Sequence, residues 1–236
     1  MNALESRLST LGLLFSFISC AAQAQITARK IAISGANLCV TEGAVENGTG
    51  DRLTVDVPKM RAYANTWTSQ AIEAKFTYLG PTAEETKLGS GEIRRQFGLK
   101  LRAQNACNLV YAMWRIEPES KIVVSIKRNP TQTKSSECGN RGYQNIKPQH
   151  AGAVPALQPG DTHTLGAELN GEELHVFVDN RVAWEGSLGP EAQDLQGPVG
   201  IRSDNVRLAF DLKAGAMTGM HPDFKLACKS GPEASD

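Results

Sequence analysis

Three stretches of this sequence place charged and aromatic residues at alternate positions, the spacing at which strand side chains share a face. In "EIRRQFGLKLRAQ", Gln96, Lys100 and Arg102 alternate with Phe97, Leu99 and Leu101. In "CNLVYAMWRI", Tyr111 and Arg115 share a face with Cys107, Leu109 and Met113, while Asn108, Val110, Ala112, Trp114 and Ile116 share the other. In "KIVVSIKRN", Ser125 and Lys127 fall on one side. Laid side by side, these strands make a basic surface of Gln96, Lys100, Arg102, Tyr111, Arg115 and Lys127, joined by Glu73 and Lys75 from "AIEAKFTYLG". Arg grips carboxylates and sulfates through paired hydrogen bonds, and Lys adds a point charge. The chemistry this suggests is recognition of a glycan, in particular an acidic one. The competing reading is a solvated sheet face with cross-strand ion pairs.

Catalytic patterns are sparser. Glycosidic hydrolysis calls for two carboxylates flanking the bond, and the nearest patterns, Glu117 and Glu119 around Pro118 and the Glu172-Glu173 pair of "GEEL", have the character of turns. No Gly-x-Ser-x-Gly marks an acyl-transfer nucleophile. A lyase needs a base and a charge neutraliser, which Tyr111 with Arg102 or Lys100 could supply, so lyase precedes hydrolase as the enzymatic alternative. His163 and His175 lack a third ligand and make a poor metal site; no metal or cofactor is expected. Of the tryptophans, Trp114 and Trp184 read as core, and Trp67 in "ANTWTSQ" is the one to test for stacking on a sugar.

The elements that must position these residues are strands. No segment after the first two dozen residues sustains a 3.6-residue apolar period over three turns, whereas two-residue alternation recurs from end to end. Strands are expected near 52–57, 71–80, 92–104, 107–116 and 121–129. In "HTLGAELNGEELHVFVDNRVAWEG", Leu165, Ala167 and Leu169 lead to Asn170-Gly171, a type I′ hairpin signal. The chain returns through Leu174, Val176 and Val178, turns at Asp179-Asn180 and leaves through Val182 and Trp184. "NVRLAFDLK" alternates Val206, Leu208, Phe210 and Leu212 with polar residues, as a half-buried strand does. Many short strands between turns argue an all-β, two-sheet antiparallel sandwich. Residues 129–162, rich in Pro, Gly, Ser, Asn and Gln, form a long connection. Whether it roofs the basic face is left open at this level.

The ending "LQGPVGIRSDNVRLAFDL", preceded by "ELHVFVDNRVAWEG", resembles the closing strands of the concanavalin A-like lectin and glucanase superfamily, in particular its laminin G-like and 3-keto-disaccharide hydrolase-like branches. There a "VDG"-type hairpin precedes a Gly-x-Val-Gly-Ile/Leu strand and a final strand that pairs back. The resemblance spans residues 160–213 and implies a jelly roll for the whole. It departs at Asn180, where Gly is usual, a small change because Asn also enters the left-handed region.

Compartment follows from the N-terminus and the cysteines. Residues 1–24 read as a signal peptide, with the apolar run "LGLLFSFISCAA" ending in "AQA" and cleavage before Gln25. The run is too short to span a membrane. A competing reading makes Cys20 a lipid-modified cysteine, against a poor lipobox. The expected organisation is one β-sandwich domain over 25–228 and a loose tail over 229–236. Cys39, Cys107, Cys138 and Cys228 remain, an even count that implies two disulfides in a secreted or periplasmic protein. Order alone permits three pairings; Cys107 with Cys138, stapling the long loop, and Cys39 with Cys228, tying the ends, are favoured. The 25 basic and 25 acidic residues cancel, so no global field draws the protein to nucleic acid or a membrane. Carbohydrate is therefore the expected partner, with a structural or protein-interaction module of the cell envelope as the third possibility.

Overall fold

The computed structural model describes residues 30–64 and 70–215. The signal segment, Cys20, Trp67, Cys228 and the tail lie outside the described residues. In chain order the strands are β1 (Ile31–Ile33), β2 (Leu38–Glu42), β3 (Glu46–Asn47), β4 (Leu53–Val55), β5 (Lys59–Ala64) and β6 (Ala71–Pro81). Next come β7 (Gln96–Asn105), β8 (Asn108–Arg115), β9 (Lys121–Lys127), β10 (Tyr143–Ile146) and β11 (His150–Ala151). The last are β12 (Thr162–Asn170), β13 (Glu173–Val178), β14 (Arg181–Ser187), β15 (Gly200–Asp204) and β16 (Val206–Ala214). Among the described residues, helix is limited to single turns, such as α1 (Ser135–Cys138).

These strands form two antiparallel sheets, the sandwich expected from the alternation. One has nine strands in the order β11-β14-β13-β12-β6-β16-β4-β3, with β1 also on β16; the other has seven, β10-β9-β8-β7-β15-β5-β2. The inward-facing sets read from the sequence meet between them. Ile72, Ala74, Phe76 and Tyr78 of β6, with Val206, Leu208, Phe210 and Leu212 of β16, pack against Phe97, Leu99 and Leu101 of β7 and Val110, Ala112 and Trp114 of β8. Phe76 bridges the sheets, 4.3 Å from Phe97 and edge-on to Trp114 at 5.5 Å between ring centres. Trp114 and Trp184 are both core residues, as expected.

The meander β12-β13-β14 is present, with one correction at its first turn. Asn170 pairs with Glu173, so the loop residues are Gly171 and Glu172 and only Gly171 takes a positive φ, +62°. That is the demand of a type II′ turn, not I′. The second turn does use two left-handed residues, Asp179 (φ 50°) and Asn180 (φ 63°).

Asn205, φ 55°, carries the chain from β15 in one sheet to β16 in the other. Its side-chain amide donates to Thr86 O and Arg94 O and its oxygen accepts from Thr86 N, tying the 82–95 connection to the crossover. Asn tolerates this backbone region and supplies the hydrogen bonds as well. The long connection after β9 is not structureless: it contains α1, β10 and β11, and the Cys107–Cys138 disulfide fixes its first part.

Candidate functional site

The outward side of the seven-stranded sheet is built from residues that register brings into rows. Asn145, Ser125, Tyr111, Lys100, Gly200, Tyr63 and Cys39 lie opposite one another across the strands. Beside that row run Val123, Met113, Gly98, Arg202 and Arg61, and then Lys121, Arg115, Gln96, Asp204 and Lys59. Tyr143 pairs with Lys127, and Lys127 with Leu109, at the near edge. Tyr63, Ala103, Leu109, Tyr111 and Met113 form a second apolar cluster here, separate from the main core.

Asp204 organises the charges. Its Oδ1 accepts from Arg61 at 2.6 Å, and its Oδ2 accepts from Gln96 Nε2 at 2.7 Å and Arg202 Nε at 2.9 Å. Burial alone pushes this carboxyl upward, but the Arg202 and Arg61 guanidiniums and the Gln96 hydrogen bond outweigh it and hold the pKa at about 2. Arg202 also donates to Tyr143 Oη at 3.2 Å and lies over the Tyr111 ring, 5.0 Å from its centre. The Tyr111 and Tyr143 rings are stacked at 6.0 Å. Burial raises the Tyr111 phenol. For Tyr143 burial acts in the same sense, yet Arg202 and Lys127 overcome it and bring the phenol below its ordinary value.

The predicted site residues divide. Gln96, Lys100, Tyr111, Arg115 and Lys127 do share this face, together with Ser125. Arg102 does not: the β7–β8 pairing slips after Leu101, Arg102 adopts φ 47°, and its guanidinium donates to Ala192 O and Gly171 O. The ladder resumes only at Asn105 opposite Asn108, with two more residues on β7 than on β8, and within that irregular stretch the regular alternation of sides is broken. Glu73 and Lys75 belong to β6, on the outward side of the other sheet, and are likewise not part of this surface.

The face is also far less open than a solvated sheet. Lys100 is 1 % exposed, Lys127 3 % and Tyr111 4 %, whereas Tyr143 at the rim is 38 % exposed. At the Leu109 end the long loop contributes to the cover: Lys127 Nζ donates to Gly139 O, and the disulfide holds α1 against the β7–β8 turn. Burial lowers the amines of Lys100 and Lys127 and the guanidinium of Arg115. Arg115 Nε is buried without a partner.

Sequence reasoning missed Arg61, Tyr63, Tyr143, Arg202 and Asp204. Arg202 and Asp204 alternate in "GIRSD", a signal that was legible; "KMRAYA", which carries Arg61 and Tyr63, is poor in strand formers and gives little warning. The other candidates find structural places. Glu117 pairs with Arg95 and Glu119 with Lys121, and Glu172 accepts from Gln193 and Ser187. His163 Nδ1 meets Asp179 Oδ2 at 2.6 Å, while His175 faces Glu168 five residues along β12, so the two histidines stay apart. Cys39 is disulfide-bonded, and its expected partner Cys228 is outside the described residues.

The sequence matches no family model and no curated protein. Among solved structures, the carbohydrate-binding module CBM66 from Bacillus subtilis superposes with a TM-score of 0.51 at 14% identity, covering 74% of this chain and 91% of that one. A protein described as a glycosyl hydrolase from Parabacteroides distasonis gives 0.50 at 9% identity, covering 80% and 100%. The fold shared with these structures is thus a two-sheet antiparallel β-sandwich.

Proposed function

We propose that this chain is an exported glycan-binding jelly-roll module, secreted or periplasmic after loss of residues 1–24, and that the outward face of its seven-stranded sheet takes an acidic glycan. The observation that carries the reading is the combination, on one face, of a stacked tyrosine pair, Tyr111 and Tyr143, with two cations: Lys100, whose Nζ lies over the Tyr63 ring, and Arg115, whose Nε is buried with no hydrogen-bond partner among the described residues. Aromatic rings pack on sugar rings, and unsatisfied donors select an oxygen-rich anion. Lys100 sits opposite Tyr111, four residues from Arg115 on β8, so the two lie about 13 Å apart along the strand direction. An extended chain ligand can engage both. The Cys107–Cys138 disulfide supports an oxidising compartment, and the folds it resembles include a protein named for carbohydrate binding.

Binding to polygalacturonate, heparin and neutral glucans, measured at low and at physiological salt, tests this. Acidic ligands are expected to bind and to weaken with salt, since the free ligand's charges and those of the partly exposed Arg115 are screened over about 8 to 10 Å. Binding of neutral glucans alone would remove the acidic part, and no glycan binding at all would favour the interaction-module reading. One feature favours a second, lyase reading: the lowered Tyr143 phenol, beside Arg202 and Lys127, suits a base better than the raised Tyr111. Release of unsaturated, ultraviolet-absorbing products would establish it.

A further inference from the structure

Lys100 and Tyr63 lie on either side of Gly200 in register. With no side chain on Gly200, the lysine lies across β15 and places its Nζ 3.8 Å from the centre of the Tyr63 ring. A Cβ at Gly200 would meet Ala62 O at 2.3 Å, so the position does not admit one without moving the backbone. The amine is buried among Arg61, Arg202, Glu42 and Asp204. The other titratable groups on the face are Lys59 and Tyr63 on β5, Tyr111 and Arg115 on β8, Lys121 and Lys127 on β9, and Tyr143 on β10. Both Asp204 oxygens are already taken, and Glu42 stands 3.7 Å from Arg61 Nε. Among the described residues no oxygen accepts a hydrogen bond from Lys100 Nζ. A buried ammonium has three donors to satisfy and a high cost if they are not.

We infer that Lys100 is an anion receptor that gains its proton together with its ligand: a carboxylate or sulfate docks on the amine between Tyr63 and Arg202, and a proton from solvent accompanies it. The inference deepens the glycan reading, which supplies the source of the acidic group. In the empty face, burial first and then Arg61 and Arg202 hold the amine well below an ordinary lysine. An anion in contact reverses those effects. Between the empty and occupied midpoints, binding takes up a proton, so affinity falls as pH rises, by about tenfold for each pH unit. Arg202, raised above an ordinary guanidinium by Asp204, does not add to this pH dependence. The Tyr143 phenol is held below its ordinary value by Arg202 and Lys127 and, once ionised, repels an anion in the same direction, so it is replaced in the test.

The experiment follows the 13C-labelled Lys100 side chain by NMR across pH in the intact Tyr143→Phe protein, alone and with excess sodium sulfate, galacturonate or galactose. Sulfate and galacturonate are expected to move the Lys100 titration to higher pH, and galactose to leave it in place. Lys100→Arg, charged without titrating, is expected to keep sulfate binding and lose its pH dependence; should that variant not fold, the Lys100 titration still decides. A Lys100 midpoint that no anion moves overturns the inference even if glycans bind. Movement by both anions with no polysaccharide bound sustains it and overturns the glycan reading instead.

Discussion

On the outward side of the nine-stranded sheet, Lys75 stands opposite Asp211 and Glu73 opposite Lys213, and Lys30 closes onto Glu73. These charges alternate with core residues as regularly as Gln96 and Lys100 do on β7. They meet water, however, and stand across the ladder from opposite charges, and the ion pair that forms there, Lys30 with Glu73, is exposed enough to contribute little. On the seven-stranded sheet the same alternation delivers Lys100, Asp204 and Arg202 to a covered surface where, among the described residues, positive charge exceeds negative and donors such as Arg115 Nε remain without acceptors. Alternation therefore marks which side chains face outward. Burial and pairing separate a solvated face from a candidate site.

The sharpest way to break that contrast is to remove one carboxylate from each face. Asp204→Ala strands Arg61 and Arg202 and is expected to cost about 3 to 5 kcal/mol of stability in urea denaturation, whereas Asp211→Ala is expected to stay within about 0.5 kcal/mol. Equal costs would mean that the two faces do not differ as described. Next in size is the loop staple. Its cysteines are 31 residues apart, and replacing both with Ser is expected to cost roughly 3 kcal/mol in the chain-entropy model, read as a lowered melting temperature.

Acid provides a third probe. Asp204 titrates lower folded than unfolded, so its contribution is fully present above about pH 4 and is lost as pH falls towards 2. About 2 kcal/mol should disappear over that window, and the loss should be absent from Asp204→Asn. Smallest is a binding comparison between residues that the sequence had grouped together. Arg115→Ala should weaken acidic-glycan binding about tenfold, the worth of one charge-assisted hydrogen bond. Arg102→Ala and Lys75→Ala should leave it unchanged, with Arg102→Ala lowering stability through its lost contacts to Ala192 and Gly171. A loss at Lys75 would move the site to the other sheet.

Much of the architecture was legible because a sandwich strand must alternate. Phe97, Leu99 and Leu101 against Gln96 and Lys100, or Leu208, Phe210 and Leu212 against Arg207 and Asp211, can satisfy a two-sided environment in only one way. Arg102 was misread because a slip in the ladder leaves no mark on residue type. Glu73 and Lys75 were misassigned because alternation assigns a side of a strand and not a sheet. Arg61 and Tyr63 were overlooked in "KMRAYA", whose alanines and lysine carry little strand preference.

Residue order alone thus determined the strand pattern and the inward-facing set, since these rest on local periodicity; it favoured Cys107–Cys138 as staple but left three pairings open until the structure joined those two. It could not determine that β15 inserts between β5 and β7. That pairing joins Arg202 and Asp204, from near the end of the described chain, to Arg61 and Lys100. Nor could it reveal that Gly200 leaves a lane for Lys100 to reach Tyr63. Both depend on which distant strands become neighbours, a choice made by packing two sheets around one core, and it is this choice that sets an amine with no acceptor among the described residues in the midst of a buried charge network.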